Sequence, residues 1–158
     1  MPQYWLMKSE PDVYSIDDLK KDGRTHWDGV RNYQARNFMR DDMKAGDEVL
    51  YYHSNAKPPG IVGRARVVKE GYPDHTAHDP DDKHFDPKSS EDDPRWFMVD
   101  VEFVEKFPRM LPLPRLRDVD ALQQMALLNR SRLSVQPVKE EEFDVILRLA
   151  EEGFGDDQ

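Results

Sequence analysis

Three histidines, His75, His78 and His84, lie among Asp74, Asp79, Asp81, Asp82 and Asp86, and imidazoles beside carboxylates are a metal-binding combination. Such a site needs ligands held in fixed geometry. His-x-x-His away from a rigid helix does not supply that, so a solvated acidic loop with no metal is the expected reading. Ser9, Ser54, Ser131 and Ser134 could each be a nucleophile, but no G-x-S-x-G elbow surrounds any of them. His53 and Ser54 are adjacent, and adjacent strand residues point to opposite faces. Lys8 and Glu10 share a strand parity and could work as a general acid–base pair. The chain holds no phosphate-cradling P-loop and no cysteine, which excludes a thiol nucleophile, a disulfide and a thiolate metal site.

A larger set of residues suits binding. Trp5, Trp27, Tyr33, Tyr51, Tyr52, Tyr72 and Trp96 are interleaved with Arg24, Arg31, Arg36, Arg64 and Arg66. Aromatic faces and guanidinium groups together can hold an unstacked nucleobase and its phosphates. A stacked base contributes roughly 1–3 kcal/mol, which offsets the few kcal/mol of pulling it from a duplex. Trp5 and Tyr51 read more as core than as a base cage. Trp27 sits in a glycine-containing turn between two helices, where a ring can face a cleft, and Asn32 can act as a helix cap or read a base edge.

The elements that position these residues follow from periodicity and punctuation. Residues 3–8, bounded by Pro2 and Pro11, predict a strand. Ser15 with Asp18 three positions on predicts a capped helix that Gly23 ends. Residues 32–43 place Tyr33, Ala35, Phe38, Met39 and Met43 at helical spacing, and 48–53 and 61–69 read as strands either side of Pro58-Pro59-Gly60. Residues 73–94 carry eight acidic groups, three histidines and four prolines, the composition of a long functional or mobile loop. From Trp96 to Phe107 apolar and acidic residues alternate, which predicts a half-buried antiparallel strand. Residues 111–114 read as an extended connector, 118–128 as a helix and 139–152 as an amphipathic helix, with a frayed tail over 153–158. Strands and helices without regular alternation give an α+β fold, a mostly antiparallel β pseudo-barrel with flanking helices.

The chain of 158 residues is one domain by length, spanning 1–152 with the acidic segment inserted. Its formal charge of −9 argues against polyanion partners only if the charge is evenly spread. It is not: residues 24–66 carry a net of +3 and residues 106–139 a net of +5. With a Debye length of about 8 Å, acidic loops across the molecule hardly cancel a basic face. No apolar run approaches a membrane span and no signal-peptide pattern opens the chain, so a cytoplasmic monomer with no membrane partner is expected.

Several motifs then carry a family likeness: W-L-M-K-S-E-P at 5–11, W-D-G-V-R-N-Y-Q-A-R-N at 27–37 and G-D-E-V-L-Y-Y-H-S-N at 46–55. P-G-I-V-G at 59–63, Y-P-D-x-T-A at 72–77, D-P-K-S at 86–89, P-R-W at 94–96 and L-S-V-Q-P-V at 133–138 follow in order. In these the sequence resembles the EVE-domain family of the PUA-like superfamily. The resemblance implies a PUA-like pseudo-barrel and a pocket for a modified base in DNA or RNA, or for a modified nucleotide, with no cofactor. The EVE domain is similar to the YTH domain, which cages methyladenine in RNA with a Lys-Ser after the first strand and a later stacking Trp. By that comparison Lys8, Ser9, Trp27 and Asp28 match, and Asn32 matches more loosely. Tyr72 and Trp96 flank the acidic segment and are candidates for a second cage wall, with the segment as a lid. Arg31, Arg130 and Arg132 are candidate phosphate contacts. The alternative is an amidohydrolase acting on modified nucleosides, similar to ASCH-type relatives, with Lys8 as base and Glu10 as acid.

Overall fold

A computed structural model describes residues 2–130 and 132–154. Its described residues form a six-stranded sheet in the order β2-β5-β4-β3-β1-β6, from β1 Tyr4–Ser9, β2 Arg24–His26, β3 Glu48–His53, β4 Gly60–Pro73, β5 Phe97–Pro112 and β6 Val135–Val138. Neighbours are antiparallel except β1 and β3, which run parallel with Tyr4 opposite Glu48 and Ser9 opposite His53. The sheet stays open at β2 and β6, so the expected pseudo-barrel is a curved, unclosed α+β sheet. Register shifts along β4 and β5 mark the irregularities that bend these long strands.

Both faces of the sheet are covered. Alternate residues of the central strands feed two cores: Trp5, Met7, Val49 and Tyr51 enter one, while Leu6, Leu50 and Tyr52 enter the other. That is why E-V-L-Y-Y-H reads as a continuous apolar run instead of an alternating one. The first core is closed by α1 Ile16–Asp22 and α2 Tyr33–Asn37, with a π-helical turn Phe38–Asp42 behind it, through Ile16, Leu19, Ala35 and Met39. The second is closed by α3 Leu113–Leu116, α4 Ala126–Asn129 and α5 Glu140–Glu152, through Leu116, Leu127, Phe143 and Ile146.

Caps fall where the sequence places them. Ser15 accepts the Asp18 amide N–H and Asp18 accepts the Ser15 amide N–H, a reciprocal capping box, and Gly23 ends α1 at φ 78°. Asn32 accepts the Ala35 amide N–H at 2.9 Å and starts α2. Three readings need correction. The connector at 111–114 divides between the end of β5 and the start of α3, because Pro114 fits the first turn of a helix. The helix expected over 118–128 is broken into a 3-10 turn, Asp120–Leu122, and α4. At the tail, Gly153 donates to the Leu149 carbonyl and Phe154 packs into the second core beneath Arg115, so both belong to the folded body. The rest of the expected frayed tail, 155–158, lies outside the described residues.

Candidate functional site

At the end of the sheet where β1 and β3 both finish, a cleft of about 730 Å³ opens to solvent. Its floor and walls come from three places. Lys8 and Ser9 close β1; Trp27, Asp28 and Arg31 come from the turn after β2; Asp81, Asp82 and His84 come from the acidic segment. Ser134 and Val13 complete the rim. The volume lies within the range of small-ligand sites.

Trp27 lines one wall. The residue is 8% exposed and edge-on to Tyr51, with centroids 5.5 Å apart at 83°. Tyr51 in turn is fixed, its hydroxyl donating to the Tyr14 carbonyl at 2.6 Å, and burial raises its phenol pKa. Trp27 is therefore held by core packing and also lines the cleft. Lys8 stands over the Tyr52 ring, 5.5 Å from the centroid, and desolvation lowers its ammonium pKa. Asp28 lies 4.0 Å from the His26 imidazole, another cleft residue.

The acidic segment is built, not merely solvated. Asp74 is fully buried at the head of a 3-10 turn, His75–His78. Its carboxylate accepts the Gly29 amide at 2.8 Å, the Thr76 amide at 2.9 Å, the Thr76 hydroxyl at 2.6 Å and Arg31 Nη1 at 3.0 Å. Desolvation pushes this carboxyl up, but the bonds from Thr76, Gly29 and Arg31 together outweigh it and leave the pKa below the ordinary carboxylate value. Arg31 also donates to the His84 carbonyl at 2.7 and 3.1 Å, so the guanidinium ties the turn at 27–31 to the segment. The expected phosphate contact at Arg31 is corrected accordingly: most of its donors are spent on protein acceptors.

Of the expected site residues, the fold brings Lys8, Ser9, Trp27, Asp28 and Arg31 to the main cleft. Tyr72 and Trp96 are not its second wall. The Tyr72 hydroxyl donates to Asp100, and its ring packs on the first core beneath Lys69. Trp96 is buried, stacks on Tyr33 with centroids 4.8 Å apart and donates from Nε1 to Asp86 at 2.7 Å. Both anchor the segment's two ends from behind. Asn32 spends its side-chain carbonyl on capping α2 and borders a smaller hollow with Gln34, Arg130 and Arg132. Arg130 donates to Gln34 across that hollow.

The metal and nucleophile combinations come apart. His78 pairs with Ser89 at 3.0 Å, His84 with Asp82 at 3.2 Å, and His75 packs edge-on to His26. Among the described residues no three His, Cys, Asp or Glu side chains converge as a metal set. His53 Nε2 accepts the Ile16 amide N–H at 3.1 Å, which commits it to the start of α1. Ser131 lies outside the described residues. Glu10 borders a second hollow rather than the main cleft, where it accepts the Asn55 amide group at 2.7 Å.

Residues 3–149 match the model of the EVE domain. The chain belongs to the EVE-domain family. This EVE domain is 50% identical to mouse thymocyte nuclear protein 1 over 96% of its own length and 75% of that protein. It superposes on a hypothetical protein from Leishmania major with a TM-score of 0.93 and 51% identity, covering 96% of both chains. It also superposes on human THYN1 protein in complex with 5-methylcytosine-containing DNA, with a TM-score of 0.91 and 48% identity, covering 95% of this chain and 98% of that one. An ASCH protein from Zymomonas mobilis, 11% identical at a TM-score of 0.53, shares the fold alone. Among the described residues of this EVE domain no helix is long and apolar enough to cross a membrane.

Sequence reasoning missed Val13, and it named Asp74, His84 and Ser134 only for a metal site or a nucleophile, not for this cleft. Asp74 and Thr76 were within reach, since Asp-x-Thr is a side-chain-capped turn signature.

Proposed function

We propose that this EVE domain is a non-enzymatic DNA reader that holds one modified base in the main cleft. The observation that carries the reading is an open cleft of about 730 Å³ lined by Trp27, which is packed edge-on to Tyr51, and by the polar groups Ser9, Asp28 and Lys8. Trp27 supplies the stacking surface, and Ser9 and Asp28 supply hydrogen bonds to the base edge. Asp28 accepts and Ser9 does either, the pairing a cytosine amino group and ring nitrogen require. Arg130 and Arg132 meet the backbone, which sets register but carries no sequence information. Arg31 and Asp74 hold the far wall in place. The human relative crystallised with 5-methylcytosine-containing DNA favours DNA over RNA as the polymer. The mouse relative carries "nuclear" in its name, and a DNA reader works where DNA is, so we place the protein with DNA in preference to the cytoplasm as such.

The hydrolase reading keeps one supporting feature, the desolvated Lys8 ammonium. Glu10 shares the second hollow with Lys8 but does not line the main cleft, and its carboxylate accepts from Asn55 at 2.7 Å, so the acid of that scheme is turned away from the proposed base pocket.

The test is a titration of short duplexes with and without one 5-methylcytosine, at fixed salt, read by fluorescence anisotropy. The modified duplex should bind more tightly by about tenfold, the scale of one to two kcal/mol in a fitted pocket. Equal affinities overturn the reading. Trp27→Phe, which keeps an aromatic ring in the core, should shrink the discrimination while thermal melting shows the fold intact. Turnover of a modified nucleoside that disappears in Lys8→Ala would favour the hydrolase instead.

A further inference from the structure

Beside the main cleft lies a second hollow of about 530 Å³, and the two share Lys8, Ser9, Val13 and Ser134 as a common wall. Its floor is apolar, from Tyr52, Leu113 and Leu127, while Arg132, Ser54 and Asn55 stand at its edge. Val13 crowns the wall. Its side chain belongs to an apolar residue that is 59% exposed, and its backbone is not loose: the Val13 and Tyr14 amides both donate to the Glu10 carbonyl at 2.9 Å. Tyr14 is itself pinned, its hydroxyl donating to Asp22 at 2.7 Å and its carbonyl accepting from Tyr51. A rigid turn thus presents an aliphatic knob to solvent between two polar-rimmed hollows. An apolar wedge between bases is a recurrent device for separating stacked neighbours, and Val13 is placed as one.

We propose that the second hollow seats the nucleotide adjacent to the modified one on the same strand, with Val13 as the ridge that parts the two bases. The inference rests on the DNA-reader function above. A base lies over the aliphatic and aromatic floor, Asn55 and Ser54 meet its polar edge, and Lys8 and Arg132 flank the phosphate that joins the two nucleotides. Charge favours this occupant: two cations border the hollow against one carboxylate, Glu10, which is engaged by Asn55. Arg132 also borders the smaller hollow with Arg130, so the strand has a cationic path onward.

The experiment uses the full chain and a single-stranded oligonucleotide with one 5-methylcytosine, into which an abasic residue is walked position by position. Removing one immediate neighbouring base, on one side only, should weaken binding about tenfold, the value of roughly one stacked base. Other positions should change it less than about twofold. Arg132→Ala and Asn55→Ala should flatten that positional profile. Val13→Asp, at an exposed site that leaves the core untouched, should weaken every oligonucleotide that retains the neighbour more than the one that lacks it. A flat profile in the wild-type protein, with preference for 5-methylcytosine retained, overturns the second seat and leaves the reader function standing. Loss of that preference itself overturns the reader function.

Discussion

Asp74 decides whether the cleft has a far wall. It is a carboxylate with no exposed side-chain surface that accepts four hydrogen bonds, two from Thr76, one from Gly29 and one from Arg31. Removing one partner of a buried pair leaves the other uncompensated, so Asp74→Ala should lower unfolding free energy by about 3 kcal/mol in denaturant melts. The pH dependence follows in sign. The folded-state pKa lies below the unfolded one, so the contribution is complete above the unfolded pKa and is lost as pH falls through the folded value. Stability should therefore drop below about pH 4, and Asp74→Asn should remove part of that drop while lowering the neutral-pH plateau. A melt series from acid to neutral pH checks both. In sequence Asp74 is one of eight acidic residues between 73 and 94, and no count separates a buried carboxylate from seven others. Trp96 hides for the opposite reason. An indole next to Arg95 looks like a binding residue, and only the structure shows its ring stacked on Tyr33 and its N–H spent on Asp86.

Between the strands, the turn at 27–31 and the acidic segment work as one piece. Gly29 sits at φ 79°, and a Cβ there would come within 2.6 Å of the His84 ring. Gly29→Ala carries both penalties, a left-handed backbone that L side chains disfavour and a clash with an imidazole at the cleft rim. The expected outcome is a loss of about 1–2 kcal/mol in stability, with faster amide exchange confined to 27–31 and 73–94. Hydrogen exchange followed by mass spectrometry distinguishes this from a global loss. The elements that sequence reveals are those with a repeated period and a cap: β1, α1, the start of α2, β3 and α5. Short elements escape. β2 is three residues long and exists because it pairs with β5, Arg24 opposite Glu102 and His26 opposite Asp100, a long-range contact that no local pattern encodes. β6 begins directly after Ser134 and is made by pairing with β1. The acidic segment escapes because its order comes from Asx turns and the Arg31 tie, not from apolar burial.

At the scale of the molecule, the proposed DNA reading requires an acidic protein to confine its attraction to one face. The formal charge is −9, and the main cleft itself carries Asp28, Asp81 and Asp82 beside Lys8, Arg31 and Lys83, while Arg130 and Arg132 border the neighbouring hollows. The motifs of the site were legible because they lie at strand ends and tight turns, where residue type is dictated locally. The acidic segment was expected at the pocket as a lid, but its wall residues Asp81, Asp82 and His84 were not legible, because they are folded back from some 50 residues along the chain, as the pairing of Arg31 with His84 records. Much of the remaining basic charge is internally balanced: Arg64 and Arg66 pair with Glu48, Arg24 with Asp100 and Lys106 with Asp17. Few cations are then directed at phosphate, and counterion release should be small. With two to three phosphates neutralised, log affinity for duplex DNA should fall against log salt with a slope of about −2 to −3. A strongly basic binder with eight contacts would give about −7. The same reasoning makes unmodified DNA a weak ligand at physiological salt, since most of its binding energy in other proteins is the electrostatic term that this surface lacks. Selectivity then rests on the pocket, and the ratio of modified to unmodified affinity should hold nearly constant as salt rises while both affinities decline together. A steep slope, or a ratio that collapses with salt, would place the recognition on the charged surface instead of beside Trp27.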